Sequence, residues 1–131
     1  MKEFPKINFS IINETKGRLP SLPFDQMKTV ILGRNYDLCL NFVSSAKLLD
    51  LNNQYRNINK STDILSFPLD KNSGEIFISP IETKKMMDEF NRSYKNFTAY
   101  LFIHGLVHLK GFDHGKKMES IEKKYRKQFS I

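Results

Sequence analysis

The stretch from His104 to His114 reads His-Gly-Leu-Val-His-Leu-Lys-Gly-Phe-Asp-His and holds every histidine of the chain. His104 and His108 are four positions apart, which on a helix puts both rings on one face, one turn from each other. Gly111 follows and can end that helix in a left-handed conformation that other residues resist. The chain can then turn back and bring His114 toward the first two rings. Three imidazoles with a fourth position open form the ligand pattern of a catalytic zinc, whereas a structural zinc is closed by four protein ligands, mostly cysteines. This chain has one cysteine. The plain alternative is three unrelated histidines, and the agreement of helix period with a well-placed glycine argues against it. The fold is thereby constrained to present a helix that runs into a tight glycine turn.

The rest of the chain supplies partners for that helix. Ile7, Phe9 and Ile11 alternate within Phe4 to Ile12 and predict a strand. Gly17, Pro20 and Pro23 break it. Phe24 to Leu32 reads as a helix stopped by Gly33. Tyr36 to Val43 alternates as a second strand. Ser44 or Ser45 caps a helix that carries Leu48, Leu49, Leu51 and Tyr55. Asn57 to Ser61 is turn-like, Thr62 to Phe67 is a third strand ended by Pro68, and Leu69 to Ser73 is a loop. Gly74 to Ser79 is a fourth strand. Ser79-Pro80 with Glu82 starts a helix that runs to about Asn91. Another begins near Ser93 and enters the histidine stretch. A last helix, Lys116 to about Phe129, carries Met118, Ile121, Tyr125 and Phe129, with its lysines read as a solvated face. Strands early and helices late predict an α+β fold, a small four-stranded sheet packed with about five helices. With 131 residues and no linker or repeat, residues 1–131 are expected to form a single domain.

Composition bounds the setting. No apolar run approaches the ~20 residues needed to cross a bilayer. Met1 to Ser10 lacks the apolar core of a signal peptide. Cys39, in an apolar strand, is expected to be a buried packing residue in a reducing compartment. These features point to a cytoplasmic protein without a membrane partner. The net charge of +7 favours nucleic acid as partner, through its phosphates.

A zinc held by neutral imidazoles makes hydroxide available near neutral pH and draws charge from an oxygen of the bond being cut. That suits an amide or a phosphodiester. Zinc proteases of this spacing carry a glutamate directly after the first histidine as general base. Here that position is Gly105. Phosphodiester cleavage depends more on stabilising charge, and Arg56 is a candidate cation for it.

Three blocks extend the argument. They are Leu51-Asn52-Asn53-Gln54-Tyr55-Arg56 followed by Ser61-Thr62-Asp63-Ile64-Leu65-Ser66-Phe67-Pro68; Gly74-Glu75-Ile76-Phe77-Ile78-Ser79; and His104 to His114. In these blocks, and more weakly at Met118 and Glu122, the chain resembles the YbeY family of bacterial endoribonucleases, also described as rRNA maturation factors. The resemblance implies zinc on His104, His108 and His114, a functional arginine at Arg56, and a small layered α/β arrangement with a four-stranded sheet beside the histidine helix. It also implies single-stranded RNA as substrate, with roles in small-subunit rRNA maturation and ribosome quality control. Glu75 departs from the family's more frequent aspartate, and Gly115-Lys116-Lys117 is shorter and more basic than usual. The expected function is therefore a zinc-dependent, single-strand-specific endoribonuclease that matures the 3′ end of small-subunit (16S) rRNA, with the small ribosomal subunit and its assembly factors as partners. Arg56 and His114 are expected to be catalytic. A peptidase and a non-catalytic, zinc-containing ribosome assembly factor are the rivals. Asp63 and Ser66 are expected to be structural, and Asp113 is either a partner of a ligand histidine or a loop residue.

Overall fold

The computed structural model describes residues 8–58 and 62–131. The beginning of the expected first strand and the end of the expected turn from Asn57 lie outside these residues. In chain order the elements are β1 (Phe9–Asn13), α1 (Phe24–Leu32), β2 (Asp37–Phe42), α2 (Ser45–Arg56), β3 (Ile64–Asp70), β4 (Ser73–Ile78), α3 (Pro80–Met86), α4 (Tyr94–Leu109) and α5 (Lys116–Gln128).

The four strands form one sheet in the order β1-β2-β4-β3. β2 runs parallel to both β1 and β4, with Phe9 opposite Leu38 and Leu40 opposite Ile76. β3 and β4 are an antiparallel hairpin in which Ile64 faces Ile78. Leu38, Leu40 and Phe42 of β2 are fully buried, as expected of an inner strand covered by helices. α1 and α4 contribute Met27, Ile31, Phe97, Phe102 and Leu106 to the main core, together with the inward residues of β2 and β4. α2 packs on β3. A smaller cluster of Val43, Leu48 and Leu65 lies there, with Phe67 and Phe77 against it.

Two boundaries differ from the sequence expectation. Pro68 lies inside β3, which continues to Asp70 with a register shift between Pro68 and Asp70. β3 is an edge strand, where a residue without an N–H costs no ladder bond. α3 stops at Met86 rather than near Asn91. Glu89 and Phe90 make short i→i−3 bonds to Met86 and Met87, Asn91 takes φ 53°, and Phe90 stacks on Phe97 at 4.8 Å. Docking of that ring folds the chain back before the helix can continue. Cys39 is only half-buried.

α4 is apolar nearly all round and is the central helix of the molecule. Phe97, Leu101, Phe102, Ile103, Leu106 and Val107 are all buried, as a helix with neighbours on several sides requires. Ser93 caps it by accepting the Asn96 N–H at 3.1 Å. Gly105 sets how close α4 comes to the sheet. A Cβ there would lie 3.0 Å from Ile64 Cδ1, Ile76 Cδ1 and Ser66 Oγ. The helix that carries two histidines is thus held against β3 and β4 by the absence of a side chain.

Candidate metal centre and its cleft

His104 and His108 lie on the last two turns of α4, and His114 lies in the loop before α5. Gly111, with φ 110°, stops α4, while its N–H bonds the His108 carbonyl at 2.9 Å. Gly115, with φ 151°, starts α5. These two glycines fold the loop back so that His114 meets the α4 rings. Ring centroids are 4.7 Å apart for His104 and His108, 5.4 Å for His104 and His114, and 4.7 Å for His108 and His114. One nitrogen from each ring lies within 4.8 Å of the others.

The outer ring nitrogens test whether this donor set fits a metal. His104 Nδ1 is 2.7 Å from Glu122 Oε1, and His108 Nδ1 is 3.0 Å from the Phe112 carbonyl. Each partner accepts a hydrogen bond from Nδ1–H, which fixes the tautomer and leaves Nε2 free as a ligand, the usual support of a metal-bound imidazole. Burial, reinforced by the neighbouring His104 and His114, lowers the His108 pKa below its ordinary 6.5. His108 is therefore neutral at pH 7, the form a metal needs. The three rings converge as a metal site requires, with the tautomer set at His104 and His108.

The rings open onto a cleft of about 490 Å³ whose lining also includes Arg56, Asp63, Ser66, Pro68 and Asp113. Arg56 is the last residue of α2; the next residue, Asn57, adopts φ 54° and ends the helix. Its side chain is exposed, and it forms no ion pair among the described residues. Asp63 immediately precedes β3, half-buried, and burial raises its carboxyl pKa above the ordinary 3.8. Ser66 directs its hydroxyl to the Gly105 carbonyl at 3.5 Å, in keeping with the structural role expected of it. Asp113 is exposed and bonds no ring among the described residues. The carboxylate that orients a histidine is Glu122, 7% exposed on the inner face of α5. In the sequence Glu122 stands out only through the weaker family match at Met118 and Glu122; its spacing beside Met118, Ile121 and Tyr125 could have marked it as inward-facing rather than part of the solvated face. Gly105 faces the sheet, so a glutamate there would drive α4 off β3.

Residues 21–130 match the protein family described as endoribonuclease YbeY. The chain belongs to this family. A relative named endoribonuclease YbeY from Oenococcus oeni is 32% identical over 119 residues, covering 82% of this chain and 76% of the relative. One of the same name from Aliarcobacter butzleri is 34% identical over 108 residues, covering 78% and 76%. The fold is similar to a solution structure of a Thermotoga maritima protein, with a TM-score of 0.65 at 29% identity, over 89% of this chain and 85% of that one. The small mixed sheet with five helices among the described residues, and histidines near the C-terminal end, accord with the α+β expectation.

Proposed function

We propose that this chain is a metal-dependent endoribonuclease that cuts single-stranded RNA. Its role in this reading is maturation of the 3′ end of small-subunit rRNA and ribosome quality control in the cytoplasm, with the small ribosomal subunit and assembly factors as partners. Residues 1–131 act as one unit. Zinc is the metal, on His104, His108 and His114. The observation that carries this reading is that Arg56, from α2, lines the same cleft as the three histidines of α4 and its loop, in a chain whose relatives bear the endoribonuclease name. When bound, the metal supplies Lewis-acid chemistry at the scissile phosphate.

The protein's own groups supply the rest. Arg56 is free to direct its guanidinium fork at phosphoryl oxygens as charge develops on them, a geometry suited to bidentate recognition. Glu122 and the Phe112 carbonyl hold His104 and His108 in position. Asp63, half-buried in the cleft, has a raised pKa that makes it a better proton acceptor than an ordinary carboxylate, and in this reading it takes part in proton transfer rather than the purely structural role first expected of it. The peptidase rival is disfavoured because the base position of that mechanism is Gly105, buried against the sheet. Purified protein should hold about one zinc per chain, lose most of it on His108→Ala, and cut an unstructured RNA while sparing a duplex of the same sequence. Equal cutting of duplex, or cutting by the metal-free protein, would overturn the proposal.

A further inference from the structure

We infer that a second cleft, next to the histidine cleft, is a subsite for a phosphodiester group further along the same RNA strand. The inference rests on the proposed endoribonuclease reading and adds where the flanking strand is held.

This second cleft has a volume of about 360 Å³, and Arg34, Lys71 and Lys110 line it. The three cations come from three separate elements. Arg34 follows Gly33, whose φ of 93° turns the chain out of α1. Lys71 is in the tight turn between β3 and β4, and Lys110 is at the end of α4. All three side chains are exposed, and none forms an ion pair among the described residues. No acid lines the cleft. The nearby Asp70 carboxylate already accepts the Asn72 N–H at 2.7 Å. Lys110 Nζ donates to the Ile31 carbonyl at 2.9 Å. That bond sets the ammonium at the C-terminal end of α1, whose partial negative charge offsets part of its own, so Arg34 and Lys71 carry the larger share of the cleft's free positive charge.

Position decides which anion fits. Leu109 lines both clefts, and it directly follows His108 in α4. The two clefts therefore adjoin at Leu109, and a strand with a phosphate at the histidines that continues in this direction would meet the second cleft. A polymer with regularly spaced phosphates meets both at once, which a free anion does not. The lysines of α5 contrast with this arrangement. Lys123 and Lys127 are exposed on its outer face and line neither cleft.

The test uses full-length, metal-loaded protein with a single-stranded 12-mer, a dinucleotide and inorganic phosphate. The Arg34→Ala/Lys71→Ala double variant is compared with Lys123→Ala/Lys127→Ala, which removes the same charge elsewhere. One lost phosphate contact on a single strand should flatten the slope of log affinity against log salt by about 0.7, equivalent to about a fivefold loss at 0.1 M salt. The cleft variant should show this for the 12-mer, bind the dinucleotide as wild type does, and cleave bound 12-mer at the wild-type single-turnover rate. The α5 variant should retain the wild-type slope. Equal slopes for cleft variant and wild type, or equal flattening in both variants, would overturn the subsite. So would binding of inorganic phosphate at Lys71 in a wild type whose 12-mer affinity is indifferent to the cleft variant. A wild type that cuts no RNA would instead overturn the endoribonuclease reading, and the subsite with it.

Discussion

Glu122 is the residue through which packing of α5 reaches the candidate metal site, so its removal should be felt there. The 2.7 Å contact between Glu122 Oε1 and His104 Nδ1 lies at the short end of the range for charge-assisted hydrogen bonds. The Glu122 side chain is 9% exposed, so water and salt screen the contact little. A hydrogen bond to a charged group contributes about 1.5–3 kcal/mol. Loss of a carboxylate partner behind a ligand histidine typically costs ~10–100-fold in metal affinity. For Glu122→Ala the burial places the expectation toward the upper end, about 100-fold, or about 2.8 kcal/mol. Glu122→Gln keeps an acceptor oxygen but loses the charge, and a weakening of about fivefold is expected, from the difference of roughly 1 kcal/mol between charged and neutral bonds. The assay is zinc competition against a chelator at pH 7.5, with thermal unfolding of the metal-free proteins alongside. A Glu122→Ala protein that melts lower without metal, yet binds zinc within twofold of wild type, would show that Glu122 only packs α5 against α4.

The other predictions concern groups around the same helix. The folded-state pKa of Asp63 is raised above 3.8, so the folded protein holds that proton more tightly than the unfolded chain does, and stability falls as pH rises through this window. Asp63→Asn should therefore stabilise the metal-free protein at pH 7 but not at pH 3.5 while slowing RNA cleavage; urea melts with a difference independent of pH would contradict this. The Tyr36 hydroxyl is buried with no hydrogen-bond partner among the described residues, so Tyr36→Phe should raise stability by about 1 kcal/mol, and a comparable loss would show that the hydroxyl is satisfied. Gly105→Ala places a Cβ 3.0 Å from three side-chain atoms; overpacking of about 1–3 kcal/mol against a helix gain of about 1 kcal/mol should leave a net loss of roughly 1 kcal/mol in denaturant melts, and a more stable variant would contradict it.

Local pattern carried much of this structure. α1 matches its expected span because Phe24, Met27 and Ile31 repeat at helical spacing before Gly33. The histidine helix was legible for the same reason, and Gly111 has the positive φ its position in the motif called for. What local pattern could not carry was decided by tertiary context. Pro68 is a strand residue because β3 is at the sheet edge, which only the strand order determines. α3 ends early because Phe90 docks on Phe97. Glu122 was marked in the sequence only by a weak family match, and its partner is eighteen positions away on another helix. Arg56 became a candidate through charge logic and family resemblance. Its place beside the histidines depends on how the end of α2 meets the edge of β3, which no spacing in the sequence encodes. Gly105 was read as a missing base, and packing gives it the further role of bringing α4 against the sheet.

The central claim, that the cleft shared by Arg56 and the three histidines cuts RNA, is tested most directly by single-turnover cleavage of an unstructured small-subunit rRNA 3′ precursor by wild type and Arg56→Ala at equal metal occupancy. A group that stabilises charge only in the transition state contributes to rate rather than to binding, typically ~10²–10³-fold. Wild type should cut the precursor, and Arg56→Ala should bind it nearly as well and cut it at least a hundredfold more slowly. An Arg56→Ala protein that cleaves bound RNA at the wild-type rate would contradict the claim.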